Sequence, residues 1–125
     1  MNTDTLSCLV EPVTFFEKEK FMIHFRNRVQ SVDIDQIMYC KADGNYSFIF
    51  LRDGKRIMMS RTLKYIVQRL SSSHFIRIHA TYLVNPDFIL RLHKEKNYQV
   101  ELVDHTRLVV SRANRQIFRE RPGKI

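Results

Sequence analysis

A chain of 125 residues, 44% hydrophobic and 27% charged, is long enough to bury one small core and too apolar to stay disordered. Three glycines, three prolines and two cysteines exclude a fibrous repeat and a disulfide scaffold, and no stretch approaches the roughly 20 apolar residues of a membrane helix. The 21 lysines and arginines against 13 acidic residues leave +8 at pH 7, which points to a polyanionic partner, nucleic acid before others.

The excess is uneven. Residues 1–20 hold two lysines and four acidic side chains, contain Pro12 and keep no sustained period, so they read as a tail or interdomain linker ahead of a domain over 21–125. No basic-then-apolar leader follows Met1, and a cytoplasmic protein with Cys8 and Cys40 as reduced thiols is expected. From Phe21 a two-residue period sets Phe21, Ile23 and Phe25 against Met22, His24 and Arg26, and Asn27 turns the chain toward Val29 in a first hairpin. The run Ile34 to Cys40 leads into Asp43-Gly44-Asn45, residues that tolerate positive φ at low steric cost. Residues 46–51 read as a strand buried on both sides, with Tyr46, Phe48 and Phe50 on one face and Ile49 and Leu51 on the other. Asp53-Gly54 predicts a type I′ hairpin turn before Lys55 to Met59 return.

One amphipathic helix is expected after Ser60-Arg61-Thr62, where either hydroxyl can cap it, because Leu63, Ile66, Val67 and Leu70 fall at i, i+3, i+4 and i+7. Ser71-Ser72-Ser73 ends it. Strands follow at Phe75 to Ile78, Tyr82 to Val84, Phe88 to His93 and Tyr98 to Val103, the last half-exposed with Gln99 and Glu101 on its outer side. Asp104 to Arg107 turns the chain into Leu108-Val109-Val110. Ser111 then caps a short helix with Arg112 in its first turn beside the 104–107 loop, and Arg112, Arg115 and Arg119 share one face.

Catalytic chemistry finds no footing. The five histidines form no HExxH or HxxxH, no Ser stands in a GxSxG elbow and no glycine-rich phosphate loop exists, so neither enzyme activity, nor a metal, nor a cofactor is expected. The arginines carry more information. Arg77 precedes the Tyr82 strand, Arg107 follows a turn, and a line of guanidinium groups from Arg112 suits phosphates or a guanine edge better than a mere solvated helix face. Phe48, Phe50 and Phe75 lie inside apolar runs, which favours core packing over the stacking of single-stranded bases.

Four ordered blocks carry a resemblance. Ile37-Met38-Tyr39-Cys40-Lys41-Ala42-Asp43-Gly44-Asn45-Tyr46, Ser60-Arg61-Thr62-Leu63-Lys64, Phe75-Ile76-Arg77-Ile78-His79-Ala80-Thr81-Tyr82-Leu83-Val84-Asn85 and Val110-Ser111-Arg112, spread over about residues 23 to 119, resemble the LytTR DNA-binding domain of bacterial response regulators. The resemblance implies a mostly β fold: an elongated, mainly antiparallel sheet or sandwich domain with one amphipathic helix and a short C-terminal helix. It implies double-stranded promoter DNA as partner, bound by loops and chain ends, with a second copy on an adjacent repeat and a receiver domain that this chain lacks. The chain is then an excised domain or a short stand-alone regulator. Base contacts carried over fall on Asn45, Ala80 and Arg112. Ala80 departs from the polar residue common at that position, and His79 or Thr81 is available in its place. Phosphate contacts are assigned to Arg61, Lys64, Arg77, Thr81, Arg107, Arg115 and Arg119. Two rival readings are a β-rich module that binds an acidic protein partner and an RNA-binding domain.

Overall fold

A computed structural model describes residues 19–70 and 74–119. Among them are ten strands, all paired antiparallel, and the alternation legible in the sequence supplies their two-sided character. β1 (Lys20–His24) and β2 (Val29–Asp33) form the first hairpin, with Phe21 and Ile23 buried and Met22 and His24 exposed. Arg26 and Asn27 turn it, and the amide of Phe25 donates to the carbonyl of Arg28 at 2.8 Å.

A five-stranded sheet is the frame of the molecule. Its order is β5-β4-β3-β7-β6, from β3 (Ile37–Asp43), β4 (Tyr46–Leu51), β5 (Arg56–Met59), β6 (Ile76–Arg77) and β7 (Tyr82–Val84). β3 lies at the centre, and Ile37 to Cys40 are all buried because both sheet faces are covered. A register irregularity between Ile37 and Tyr39 lets Ile37 and Cys40 join one core while Met38 and Tyr39 join the other.

The first core lies under the β1–β2 hairpin and helix α1 (Leu63–Arg69), where Leu63, Ile66 and Leu70 meet Phe21, Ile23, Ile49 and Met59. Thr62, not Ser60, caps α1, its hydroxyl accepting from the amide of Tyr65 at 3.3 Å. Val67 is only partly buried, and the expected end of the helix at Ser71 to Ser73 lies outside the described residues. The second core lies under a three-stranded sheet ordered β10-β9-β8, made of β8 (Ile89–Lys94), β9 (Tyr98–Leu102) and β10 (Arg107–Val109), and under Phe118 of the closing helix α2 (Gln116–Arg119). The mostly β, antiparallel sandwich with one amphipathic helix and a short C-terminal one is the architecture expected from the chain.

Four local expectations need correction. The Asp53-Gly54 turn is not type I′, because only Gly54 has positive φ, at 93°. Gly54 N–H donates to the Leu51 carbonyl at 3.0 Å and Leu51 N–H to the Lys55 carbonyl at 2.8 Å, the pattern of a three-residue loop with a left-handed glycine last. β4 is buried unevenly on its two sides: Ser47 and Ile49 are fully buried, whereas on the other face Phe48 and Phe50 are only partly buried and Tyr46 is 48% exposed. Glu101, expected on a solvent face, is 8% exposed, covered by histidines from two neighbouring segments. Finally, no continuous helix follows Ser111. Arg112–Asn114 form one 3₁₀ turn before α2, and the Ser111 hydroxyl accepts from Asn114 Nδ2 at 2.7 Å instead of capping a backbone amide.

Candidate nucleic-acid interface

Three stretches far apart in sequence meet at one end of the five-stranded sheet. The first is the β3–β4 turn, where Gly44 takes φ 63° and leaves Asn45 exposed at the tip. A side chain at Gly44 would meet open space, so the backbone angle, not crowding, is what calls for glycine there. The second is the tight β6–β7 loop, closed by Ile78 N–H to the Tyr82 carbonyl at 3.2 Å and Tyr82 N–H to the His79 carbonyl at 3.1 Å. Ala42 N–H donates to the Thr81 carbonyl at 2.8 Å, which sets this loop beside the first turn. The third stretch joins when Ser111 N–H donates to the Ile78 carbonyl at 2.9 Å and brings Arg112, exposed, to the same end.

The start of α1 belongs to this end too. Ser47, at the beginning of β4, is fully buried and its hydroxyl donates to the Arg61 carbonyl at 2.8 Å. Arg61 and Arg69 place their guanidinium carbons 4.8 and 4.9 Å from the Tyr65 ring centroid, and Lys64 is exposed between them. Strand pairing brings two further cations that the sequence reading passed over. Val110 N–H donates to the Tyr98 carbonyl at 2.9 Å, so the β8–β9 turn, with Lys94 and Lys96 exposed, flanks Arg112. The available signal was the run His93-Lys94-Glu95-Lys96-Asn97 between two strands, but only the topology tells which end of the molecule it reaches. Asp43 and Glu95, both exposed, are the acidic exceptions there.

The remaining candidates are placed differently. Arg77 turns its guanidinium onto its own loop, Nε donating to the His79 carbonyl at 3.0 Å and Nη2 to the Ala80 carbonyl at 2.8 Å. Thr81 is partly buried and its N–H donates to His79 Nδ1 at 3.0 Å. Arg115 is half-buried with its guanidinium 4.4 Å from the Tyr98 centroid, and its Nε has no hydrogen-bond partner among the described residues. It therefore does not form one exposed row with Arg112. The side chain of Arg119 lies outside the described residues. Arg107 stands at the opposite end of β10 from Ser111, about 13 Å away by the rise of an extended chain. The 104–107 loop thus does not neighbour Arg112.

Arg107 belongs instead to a polar cluster around Glu101. His93 Nε2 and His105 Nδ1 each lie 2.7 Å from one carboxylate oxygen, and Arg91 Nε lies 3.5 Å from the first. The hydrogen bonds to His105 and His93 outweigh burial, and with the nearby Arg91 and Arg107 they hold the carboxyl down at about 2. His105 reaches it from a residue with φ 72°. Among the described residues no set of three His, Cys, Asp or Glu is arranged to hold a metal. Cys40 is a free, fully buried thiol pushed up to about 12 by that burial, and Cys8 lies outside the described residues. No described helix is long and apolar enough to cross a membrane.

Comparison with known proteins gives a consistent result. The model of the LytTr DNA-binding domain matches residues 27–122. The heme-containing CO-sensing transcriptional regulators RcoM 1 and RcoM 2 of Paraburkholderia xenovorans (strain LB400) are 27% and 25% identical over 109 residues, covering 85% of this chain. This chain spans 40% of the length of each of them. A solved LytTr DNA-binding domain from Bacillus cereus superposes with a TM-score of 0.69 at 18% identity, over 86% of this chain and 99% of that one, a likeness of fold.

Proposed function

The chain belongs to the LytTr DNA-binding domain family, and on that premise we propose that it recognises a specific double-stranded promoter sequence as the DNA-binding module of a transcriptional regulator. Asn45, Arg112 and the His79–Ala80 segment face base edges, and Arg61, Lys64, Thr81, Lys94 and Lys96 hold phosphates on either side. Arg107, Arg115 and Arg119 are secondary phosphate candidates, the first because it stands at the far end and the second because it is half-buried on Tyr98. One observation carries this reading: the hydrogen bonds from Ala42 to Thr81 and from Ser111 to Ile78 gather three separate loops at one basic end of a rigid sheet.

Loops on a rigid frame can enter a groove without a recognition helix, provided that backbone contacts fix their register on the duplex. The aromatic side chains of the second core support a duplex over single strands, while Tyr46 is exposed at the start of β4. Tyr39 and Phe50 stack on each other at 4.4 Å, and Phe50 and Tyr82 pack against the second core, so they are not presented to unpaired bases. Two copies on repeats one helical turn apart would bind one face of the duplex. Selection from random duplex DNA, followed by salt titration against the selected duplex, an unrelated duplex, a single strand and RNA, tests the proposal. A recurring motif whose preference survives rising salt supports it. Equal loss of all ligands would leave only a basic protein, and tighter binding of RNA or of an acidic protein would favour the corresponding rival.

A further inference from the structure

The β6–β7 loop is held from within. Arg77 grips two successive peptide units, its Nε on the His79 carbonyl at 3.0 Å and its Nη2 on the Ala80 carbonyl at 2.8 Å. A planar guanidinium fork sets the orientation of both peptide planes at once, which an ammonium on a flexible stem cannot do. Thr81 N–H meanwhile donates to His79 Nδ1 at 3.0 Å. An Nδ1 that accepts a hydrogen bond carries no proton, so in the neutral ring the proton sits on Nε2 and that edge is a donor. The Tyr82 ring, 5.8 Å from the imidazole centroid, supports the His79 ring from the strand side. Next to it Ala80 is exposed and has no polar atom on its side chain.

Resting on the DNA-binding reading above, the geometry points to His79 as the base reader of this loop and to Arg77 as the positioning residue that fixes it, not as a phosphate contact. A donor at Nε2 matches a base edge that accepts: guanine N7 or O6, adenine N7 or thymine O4. It is mismatched to the cytosine amino group. The Thr81 hydroxyl can donate or accept and discriminates less. The loop thus regains the polar contact that Ala80 cannot make, one residue earlier in the chain.

The test uses the full chain. Duplex selection and salt titration are run on the wild type and on Arg77→Lys, Arg77→Gln, His79→Ala and the Arg77→Lys/His79→Ala pair, with thermal melts to establish which variants fold. His79→Ala is expected to lose about tenfold in discrimination at one base pair and to leave the rest of the motif unchanged. Arg77→Lys is expected to lose the same discrimination, and to add little in the His79→Ala background. Arg77→Gln is expected to keep the salt slope. A slope lowered by about 0.9 with an intact motif would make Arg77 a phosphate anchor and overturn the inference, as would an Arg77→Lys variant that selects like the wild type. Should Arg77→Gln not fold, Arg77→Lys decides alone. Imidazole nitrogen shifts provide a reading without DNA: one Nε2-protonated form in the wild type, and a mixture of tautomers in Arg77→Lys. A wild type that selects no duplex would sink the DNA-binding reading itself, whereas a selected motif indifferent to His79 sinks only this assignment.

Discussion

The side-chain amide of Asn85 donates to the carbonyl of Ile37 at 3.0 Å, joining residues 48 apart in sequence inside the protein. Asn85 is 1% exposed, and its Oδ1 accepts from Asp87 N–H at 3.0 Å, capping the short 3₁₀ turn Pro86–Phe88. The same residue therefore ties β7 to the central strand and starts the crossing to the three-stranded sheet. Asn85→Ala leaves a buried carbonyl and an amide without partners and should cost about 2 kcal/mol. Asn85→Asp should cost more at neutral pH, since its carboxylate oxygen would face the Ile37 carbonyl. Urea unfolding of both variants checks the order; equal stability of all three proteins would contradict it.

Helix α1 is attached to the sheet by a narrow stripe. Ile66 is fully buried and Leu70 is 3% exposed, both in the first core. Truncation of either to Ala should cost about 2 to 5 kcal/mol, whereas Val67→Ala, at a partly buried position, should cost clearly less. Denaturation midpoints of the three variants measure this difference directly.

Glu101 makes stability depend on acid pH in a definite direction. Its carboxyl, ordinarily near 4.5, is held at about 2 in the folded chain, first by the hydrogen bond from His105 and then by that from His93. A depressed carboxyl contributes stability that is complete above the unfolded value and is lost as pH falls through the folded one. The contribution should therefore fade between about pH 4.5 and 2. Glu101→Gln should flatten the pH dependence of unfolding in that window, and an unchanged slope would show that other carboxyls dominate it.

How far the chain is legible depends on whether a feature is local. The period-two run at Phe21 to Phe25 and the stripe from Leu63 to Leu70 report burial faces directly, and both elements stand where the pattern puts them. Asp53-Gly54 marks a hairpin but not its turn, because the dipeptide suits a left-handed residue either at both central positions or at the last one only. Glu101 alternates like a solvent-facing residue; what buries it is His93 on the adjacent strand and His105 past the turn, partners set by register and not by spacing. At the basic end, Asn45, Ala80 and Arg112 came from the resemblance, since nothing within each segment announces that the three meet. Arg77 looks like a free cation at the end of a short strand because hydrogen bonds to backbone carbonyls leave no mark in a sequence. Lys94 and Lys96 look like an ordinary polar turn until the strand order carries them beside Arg112.

That neighbourhood sets the division of labour at the C-terminal loop. Arg112 is exposed at the start of a 3₁₀ turn whose backbone is anchored through Ser111 to Ile78 and whose Ser111 hydroxyl is held by Asn114, so its stem starts from a fixed point. A guanidinium on a fixed base can make the bidentate contact to guanine that separates one base pair from another, worth about 1 to 3 kcal/mol. Lys96 lies at the tip of a hairpin turn, and an ammonium on a flexible stem suits a phosphate of any sequence. Arg112→Ala should accordingly weaken the preferred duplex by about that amount and erase discrimination at one base pair. Lys96→Ala should weaken every duplex alike and lower the salt slope by about 0.9. Affinities of both variants for the selected site, for single-base variants of it and for unrelated DNA, each at several salt concentrations, separate these outcomes. If the two variants behave alike, with the motif intact and the slope reduced in both, Arg112 is a second phosphate anchor and the reading of bases rests on Asn45 and the His79 loop alone.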